Sequence, residues 1–336
     1  MTDTPGSAVA SGSVFVVDRS ARHRMTFTGE GAKATLGGLV TNDVVALTPG
    51  QGQRAVALTP KGRVIALVRV FDRGVDRGVD LLVDTDAASG DGFAAMIKKY
   101  VNPRLAKYAV VSQETGCLGV YGGLAAASAL VARVLGADGA ALASLAPLAG
   151  LTHGDGDQHV FVVHSSDLAP AGLDLFGTRA RLESVRAALV AAGATIANEQ
   201  ETEVARVMAG VPEWGREMDG ETIPQEAMLD ELGAISFSKG CYTGQEVVAR
   251  IHFRGHVNRN LRWLAAAELL PVGAELFDAD EKAVGNVRTS VVSPAHGPLS
   301  VAMVRREVAP GMEVQVRTEH GNVTAHVSRM GDLDTP

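Results

Sequence analysis

KGCYTGQEVVARIHFRGHVNRNLR, residues 239–262, gathers a thiol, two glycines, an amide, a carboxylate and a run of cations into one short segment. Gly240 and Gly244 flank Cys241 and let the backbone turn sharply and approach a ligand that a β-carbon would hinder. The thiol is therefore expected on a turn. Lys239, two residues upstream, adds positive charge that favours the thiolate, the reactive form of cysteine. Gln245 and Glu246 contribute hydrogen-bonding groups of both kinds. Beyond them Arg250, Arg254, Arg259 and Arg262, with His252 and His256 between, face one carboxylate, Glu246. This is a cationic strip on an acidic chain.

Each feature also has a plain structural explanation. A lone cysteine is commonly a small buried hydrophobe, and paired glycines are ordinary turn chemistry. Cys241, His252 and His256 could form a zinc site, since histidines at i and i+4 share a helix face, but the second cysteine of a usual structural site is missing. The combination of residues, more than any one of them, points to a functional segment.

KGCYTGQE resembles the signature of the YgfZ branch of the glycine-cleavage T-protein superfamily, folate-binding proteins linked to iron-sulfur cluster assembly and repair. The likeness extends upstream through Arg206–Pro212 (RVMAGVP), Ile223-Pro224-Gln225-Glu226 and Gly233–Phe237 (GAISF). Near the N-terminus, LVTNDVVALTPGQGQRAVALTPKGRV (Leu39–Val64) is similar to the family's opening module.

The composition sets outer limits. A chain of 336 residues suggests two or three domains. Hydrophobic residues at 46% against 21% charged describe a globular protein and exclude a disordered one. The net charge of -7 argues against general nucleic-acid affinity. Two cysteines, Cys117 and Cys241, make no disulfide framework, so a reducing cytoplasm is the expected location. MTDTPGSAVASGS lacks the basic and apolar regions of a signal peptide, and no apolar run is long enough to span a membrane.

Along the chain, residues 1–12 are small and polar and are expected to be disordered. Val14–Val17 and Arg24–Gly29 read as strands, 31–39 as a short helix, and Arg54–Leu58 and Arg63–Val70 as a hairpin closed by Thr59-Pro60-Lys61-Gly62. FDRGVDRGVD fits a hairpin tip. A strand follows, then a helix over 92–100 with Lys98 and Lys99 in its last turn. Cys117, in the apolar run CLGVYG, reads as core. Strands and helices alternate from about 106 to 195, with Thr178 and Gly193 bounding one helix. A helix over 199–209 leads to Gly210-Val211-Pro212. After Arg262 only short strands with turn signals remain, which argues a small antiparallel barrel.

The resemblance implies an α+β fold, a three-domain T-protein-like cloverleaf around a central folate pocket. Residues 13–105 and 200–258 would form a discontinuous folate-binding domain, 106–199 an inserted α/β sandwich, and 259–336 the C-terminal β-barrel. Asp43 and the 206–254 stretch would face the pocket. In the aminomethyltransferase relatives the aspartate matching Asp43 lies beside the folate, although an aspartate after a helix is also a common backbone cap. The folate contacts implied are Asp43, Arg206, Tyr242, Gln245, Glu246, Arg250 and Arg254, the arginines suiting a folate's glutamate tail because guanidinium groups bind carboxylates bidentately. Cys241, Asp43 and Lys239 would carry any chemistry, on a backbone shaped by Gly240 and Gly244.

Two departures separate the chain from glycine cleavage. Aminomethyltransferases carry a glutamate in Arg-x-Glu-x-Gly to hold the pterin, and Met208, which accepts hydrogen bonds poorly, stands there. They also lack the KGCYTGQE cysteine. The implied function is a folate-dependent accessory factor for iron-sulfur clusters, including those of tRNA-modifying enzymes. It would bind tetrahydrofolate or a derivative, hold no metal, and take iron-sulfur enzymes or cluster-assembly proteins as clients. The alternatives are a tetrahydrofolate-dependent aminomethyltransferase or demethylase and, against the acidic balance, a tRNA-binding module.

Overall fold

The computed structural model describes residues 13–74, 79–319 and 321–332. The expected N-terminal tail and the tip of FDRGVDRGVD lie outside the described residues.

The elements run, in chain order, β1 (Phe15–Asp18), β2 (His23–Thr28), α1 (Ala32–Gly37), β3 (Gly52–Leu58), β4 (Val64–Asp72), β5 (Asp80–Thr85), α2 (Ala87–Tyr100), β6 (Lys107–Val110) and β7 (Thr115–Tyr121). There follow α3 (Leu124–Leu135), α4 (Gly139–Ala143), β8 (Gly150–His153), β9 (Val160–Ser165), β10 (Gly172–Thr178), α5 (Arg179–Ala191), β11 (Thr195–Ile196), α6 (Glu199–Met208) and α7 (Gln245–Arg254). The last six strands are β12 (Arg259–Ala266), β13 (Glu275–Phe277), β14 (Ala283–Ser293), β15 (Gly297–Arg305), β16 (Glu313–Thr318) and β17 (Gly321–Ser328).

They assemble into two open sheets, β3-β4-β5-β2-β6 and β11-β1-β7-β10-β9-β8, and a closed barrel, β12-β15-β14-β13-β16-β17. β1 corrects an expectation: it pairs with β7 and β11 in the second sheet, although it begins the segment assigned to the first unit. Four apolar residues carry no signal for which sheet they enter; Phe15 stacking on Tyr121 helps hold them in the second. The second helix also begins earlier than Gly92, at Ala87. Its Ser-Gly-Asp-Gly sequence reads as a turn, but Gly90 is required by packing, since a β-carbon there would meet His23 at 2.5 Å.

β4 is buried along nearly its whole length because both its faces are covered. On one side Val68 and Val70 join the cluster containing Phe93, Met96 and Ile97 of α2. On the other Phe71 packs with Leu82, Cys117, Phe161 and Phe176, a core shared between the two open sheets. Cys117 lies in that core as expected, and burial pushes its thiol pKa up.

The barrel is joined to the rest through its outer surface. Side chains alternate along a strand, so Leu264 of β12 fills the barrel. Leu261 and Trp263 face outward onto Val248 of α7, Tyr242, Leu229 and Val207. The stretch from 209 to 244, which contains no helix or strand longer than an isolated bridge, supplies much of this joint.

Candidate functional site

The expected site residues fall in two places. The first is the junction that positions Cys241. Residues 37–43, at the end of α1, are sewn to 233–243 by backbone and side-chain hydrogen bonds. Ser236 N–H donates to the Thr41 carbonyl and Thr243 N–H to the Gly38 carbonyl, at 3.0 and 3.2 Å. Thr41 Oγ1 donates to the Ala234 carbonyl at 2.6 Å, and Asn42 Nδ2 to the Gly233 carbonyl at 2.9 Å. The Lys239 ammonium completes the seam by donating to the carbonyls of Gly37, of Val40 (2.7 Å) and of Asn42 (3.0 Å). Its three donors are thereby occupied. Burial pushes the Lys239 pKa down to about 8, opposed by Asp43. The amine thus remains mostly protonated at neutral pH.

Lys239 therefore ties the Cys241 loop to the end of α1. Replacing it with methionine is expected to cost about 1.5–3 kcal/mol, the usual worth of hydrogen bonds to a charged group. Urea unfolding read by tryptophan fluorescence measures this; a midpoint equal to that of the wild type would show the tie to be dispensable.

The two glycines behave differently. Gly244 has φ +80°, and a β-carbon there would stand 2.6 Å from the Thr59 carbonyl oxygen and 3.0 Å from Leu58 Cβ. Gly62 has φ +72°, and a β-carbon there would meet Val247 at 2.8 Å. The KGCYTG turn and the TPKG hairpin turn thus interlock through a pair of glycines, which brings two motifs far apart in sequence into contact. Gly240 has nothing within 4 Å of its β-carbon position. Beside it Cys241 is exposed. Tyr242 turns inward beneath Lys239, whose Nζ lies 5.1 Å from its ring centre, and burial raises the phenol pKa to about 12. Asp43 Oδ1 accepts from the N–H groups of Val45 and Ala46, at 3.2 and 3.3 Å, and so caps its own turn.

The second place is a cavity of about 570 Å³ between the two open sheets and α6. Sequence reasoning missed most of its wall. Arg54 and Arg69 lie directly opposite one another on β3 and β4, an arrangement that would repel without the aspartates brought in by the other strands. Arg69 binds Asp84 at 2.7 Å and Asp174 at 2.5 Å, and approaches Asp167 at 3.0 Å. Arg19 binds Asp167 and Asp174, Arg22 binds Asp84 and Asp86, and Arg54 binds Asp167. The available signal was a charge within an otherwise apolar strand, as in VIALVRVFD and GLDLFGT; a buried charge has to be paired. Both Arg54 hydrogen bonds run through Nη2, to Ser166 Oγ and Asp167 Oδ1.

Of the residues expected to bind folate, Arg206 alone lines this cavity. Its guanidinium is held by Glu203 at 2.6 Å and Glu217 at 2.9 Å. Asp43, Tyr242, Gln245, Glu246, Arg250 and Arg254 do not line it; of the stretch 206–254 expected to face one pocket, its beginning, from Arg206 to Arg216, reaches this cavity. Arg250 and Arg254 are exposed on α7, Glu246 is exposed in its first turn, and Gln245 is half-buried at its start. Met208 packs against the core that joins the barrel. Among the described residues no three histidine, cysteine or carboxylate side chains are grouped to hold a metal ion. His252 instead stacks flat on Phe237. Nor, among the described residues, is any helix long and apolar enough to cross a membrane.

Two open sheets with an arginine-lined cavity between them, and a closed barrel joined to them through the 209–244 stretch, define the class. The fold is that of glycine cleavage system aminomethyltransferase T from Bartonella henselae, matched with a TM-score of 0.82 over 97% of this chain and 90% of that one, at 16% identity. Residues 7–238 match the family described as the GCVT N-terminal domain. Among curated relatives, tRNA-modifying protein YgfZ from Klebsiella pneumoniae (strain 342) is 30% identical over 89% of this chain and 87% of its own length. Its counterpart from Shigella boydii serotype 4 (strain Sb227) is 32% identical over 74% and 72%. The chain belongs to the GCVT family, in its YgfZ branch.

Proposed function

We propose that this protein is a folate-binding accessory factor for the assembly or repair of iron-sulfur clusters, including those of tRNA-modifying enzymes. The cavity would hold the folate and Cys241 would act at the surface. The observation that carries this reading is the separation of the two: the motif thiol is exposed on a braced turn, outside the cavity. A transferase that acted through Cys241 on bound folate would need both in one place.

The cavity suits a folate. Arg54 and the half-exposed Arg216 offer guanidinium donors to the glutamate carboxylates. Glu213, whose carboxyl burial pushes up, and Asp86 face the same space and can accept from a pterin's amino and ring N–H donors. Met208 leaves the family's usual pterin carboxylate absent, which supports a role other than glycine cleavage.

Calorimetric titration with tetrahydrofolate tests the binding half. Arg54→Gln is expected to weaken binding by about 10- to 100-fold, the loss of charged hydrogen bonds, and Cys241→Ala to leave it unchanged. In cells, Cys241→Ala at normal abundance is expected to lower tRNA thiolation by iron-sulfur enzymes while glycine cleavage persists. Undiminished thiolation would sink the accessory-factor reading and favour a folate-dependent aminomethyltransferase.

A further inference from the structure

α7 leaves a surface that the fold does not use. Within the helix Val248 is the buried residue, while Arg250, His252, Phe253, Arg254 and, just beyond, His256 are exposed. Phe253 is 65% exposed, yet its ring is braced. It meets His252 edge to face at 4.7 Å between centroids and Phe237 at 6.4 Å, while His252 lies on Phe237 at 3.5 Å and 11°. Arg259 is tied to Glu226. Among the described residues neither Arg250 nor Arg254 has an ion-pair partner.

We infer that this face docks a partner protein that presents an apolar pocket within an acidic surface, with Phe253 as the anchor and Arg250 and Arg254 as flanking charges. An aromatic ring beside arginines is the composition of interface hot spots. The strip's positive charge, set against a net charge of -7 for the whole chain, selects acidic partners and repels a second copy of most of this surface. The stacked trio is already ordered, so little side-chain freedom is lost on binding. Single-stranded RNA is a poorer fit, since it asks for several stacking faces along a basic groove, and this surface offers one outward ring and two fixed charges. Phe237 precedes Cys241 in the chain and α7 follows it, so the docking face and the thiol belong to one continuous segment. The inference rests on the accessory-factor reading for what the partner is, and adds how it is held.

The test places p-benzoylphenylalanine at position 253 in host cells, with the same group at Val272, 67% exposed on the barrel, as the control. A discrete protein adduct at 253, absent at 272 and identified by mass spectrometry as an iron-sulfur protein with an acidic face, is expected. Adding Arg250→Glu and Arg254→Glu is expected to lower its yield at least about tenfold. No adduct, an adduct of another kind of protein, a nuclease-sensitive adduct, or one indifferent to charge reversal overturns the inference. Thiolation that survives Phe253→Ala with both reversals but falls with Cys241→Ala would reject the docking face and leave the accessory role standing. Thiolation unaffected by Cys241→Ala, with the charge-sensitive adduct intact, would reject the role and keep the face.

Discussion

Arg69→Met is expected to lower the unfolding free energy by about 3–5 kcal/mol, the cost of removing one partner from a buried ion-pair network. Arg69 is 2% exposed, with Asp84 and Asp174 at 0%. The substitution keeps most of the apolar stem but leaves those carboxylates with fewer counter-charges. A loss of that size is a large part of the stability of an ordinary domain.

The pH dependence separates this cause from simple loss of packing. Burial alone would raise the pKa of Asp84, but Arg22 and Arg69 outweigh it and hold the carboxyl below its usual range; Asp167 and Asp174 are likewise lowered by their arginines against burial. A carboxyl depressed in the folded state contributes stability that is fully present above its unfolded value, about 3.9, and is lost as pH falls toward the folded value. Without Arg69 those carboxyls move back up and contribute less. The deficit of the variant should therefore be greatest at neutral pH and shrink as the pH drops below about 4. Urea titrations at pH 7 and at about pH 3, inside the window between the unfolded and the folded values, read this directly. A deficit that is small, or equal at both, would mean the seam between the sheets is held by its aromatic core alone.

Gly244→Ala is expected to cost about 2–4 kcal/mol, combining a left-handed backbone forced on a β-carbon with a clash in a packed site. The Thr59 carbonyl and Leu58, which it would strike, belong to the hairpin turn and strand that Gly244 locks. Gly240→Ala meets nothing and should change stability by less than about 0.5 kcal/mol. Because Gly244 starts α7 and braces the Cys241 turn, its substitution should also loosen that turn. Faster proteolysis between 236 and 245 in Gly244→Ala than in Gly240→Ala would report it. Equal stabilities for the two variants would remove the interlocking of the motifs.

The local elements were legible from sequence because their signals are local. Thr178 before an apolar-periodic run caps α5 by accepting from the Arg181 N–H; the capping box of Asn198 with Glu201 at the head of α6 emerged only in the structure. Short strands punctuated by turn signals after Arg262 pointed to the barrel, which the structure closes from six strands. The motif match at 239–246 reached the family because side chains and glycines of one turn must coexist to make it.

The sequence by itself thus determined most of the elements, the barrel, the family resemblance and a motif cysteine between two glycines; its exposure is a tertiary outcome. The tertiary structure alone decided the sheet that β1 enters, the aspartate and arginine seam across residues up to 155 apart, and the wall of the cavity. It also decided that Cys241, Arg250 and Arg254 lie outside that cavity while Arg54 and Arg69 line it. The reason is physical. Periodicity and capping report interactions within a few residues of one another. The pairing of buried charges and the choice of a neighbouring strand are settled by desolvation and packing between segments brought together only when the chain closes.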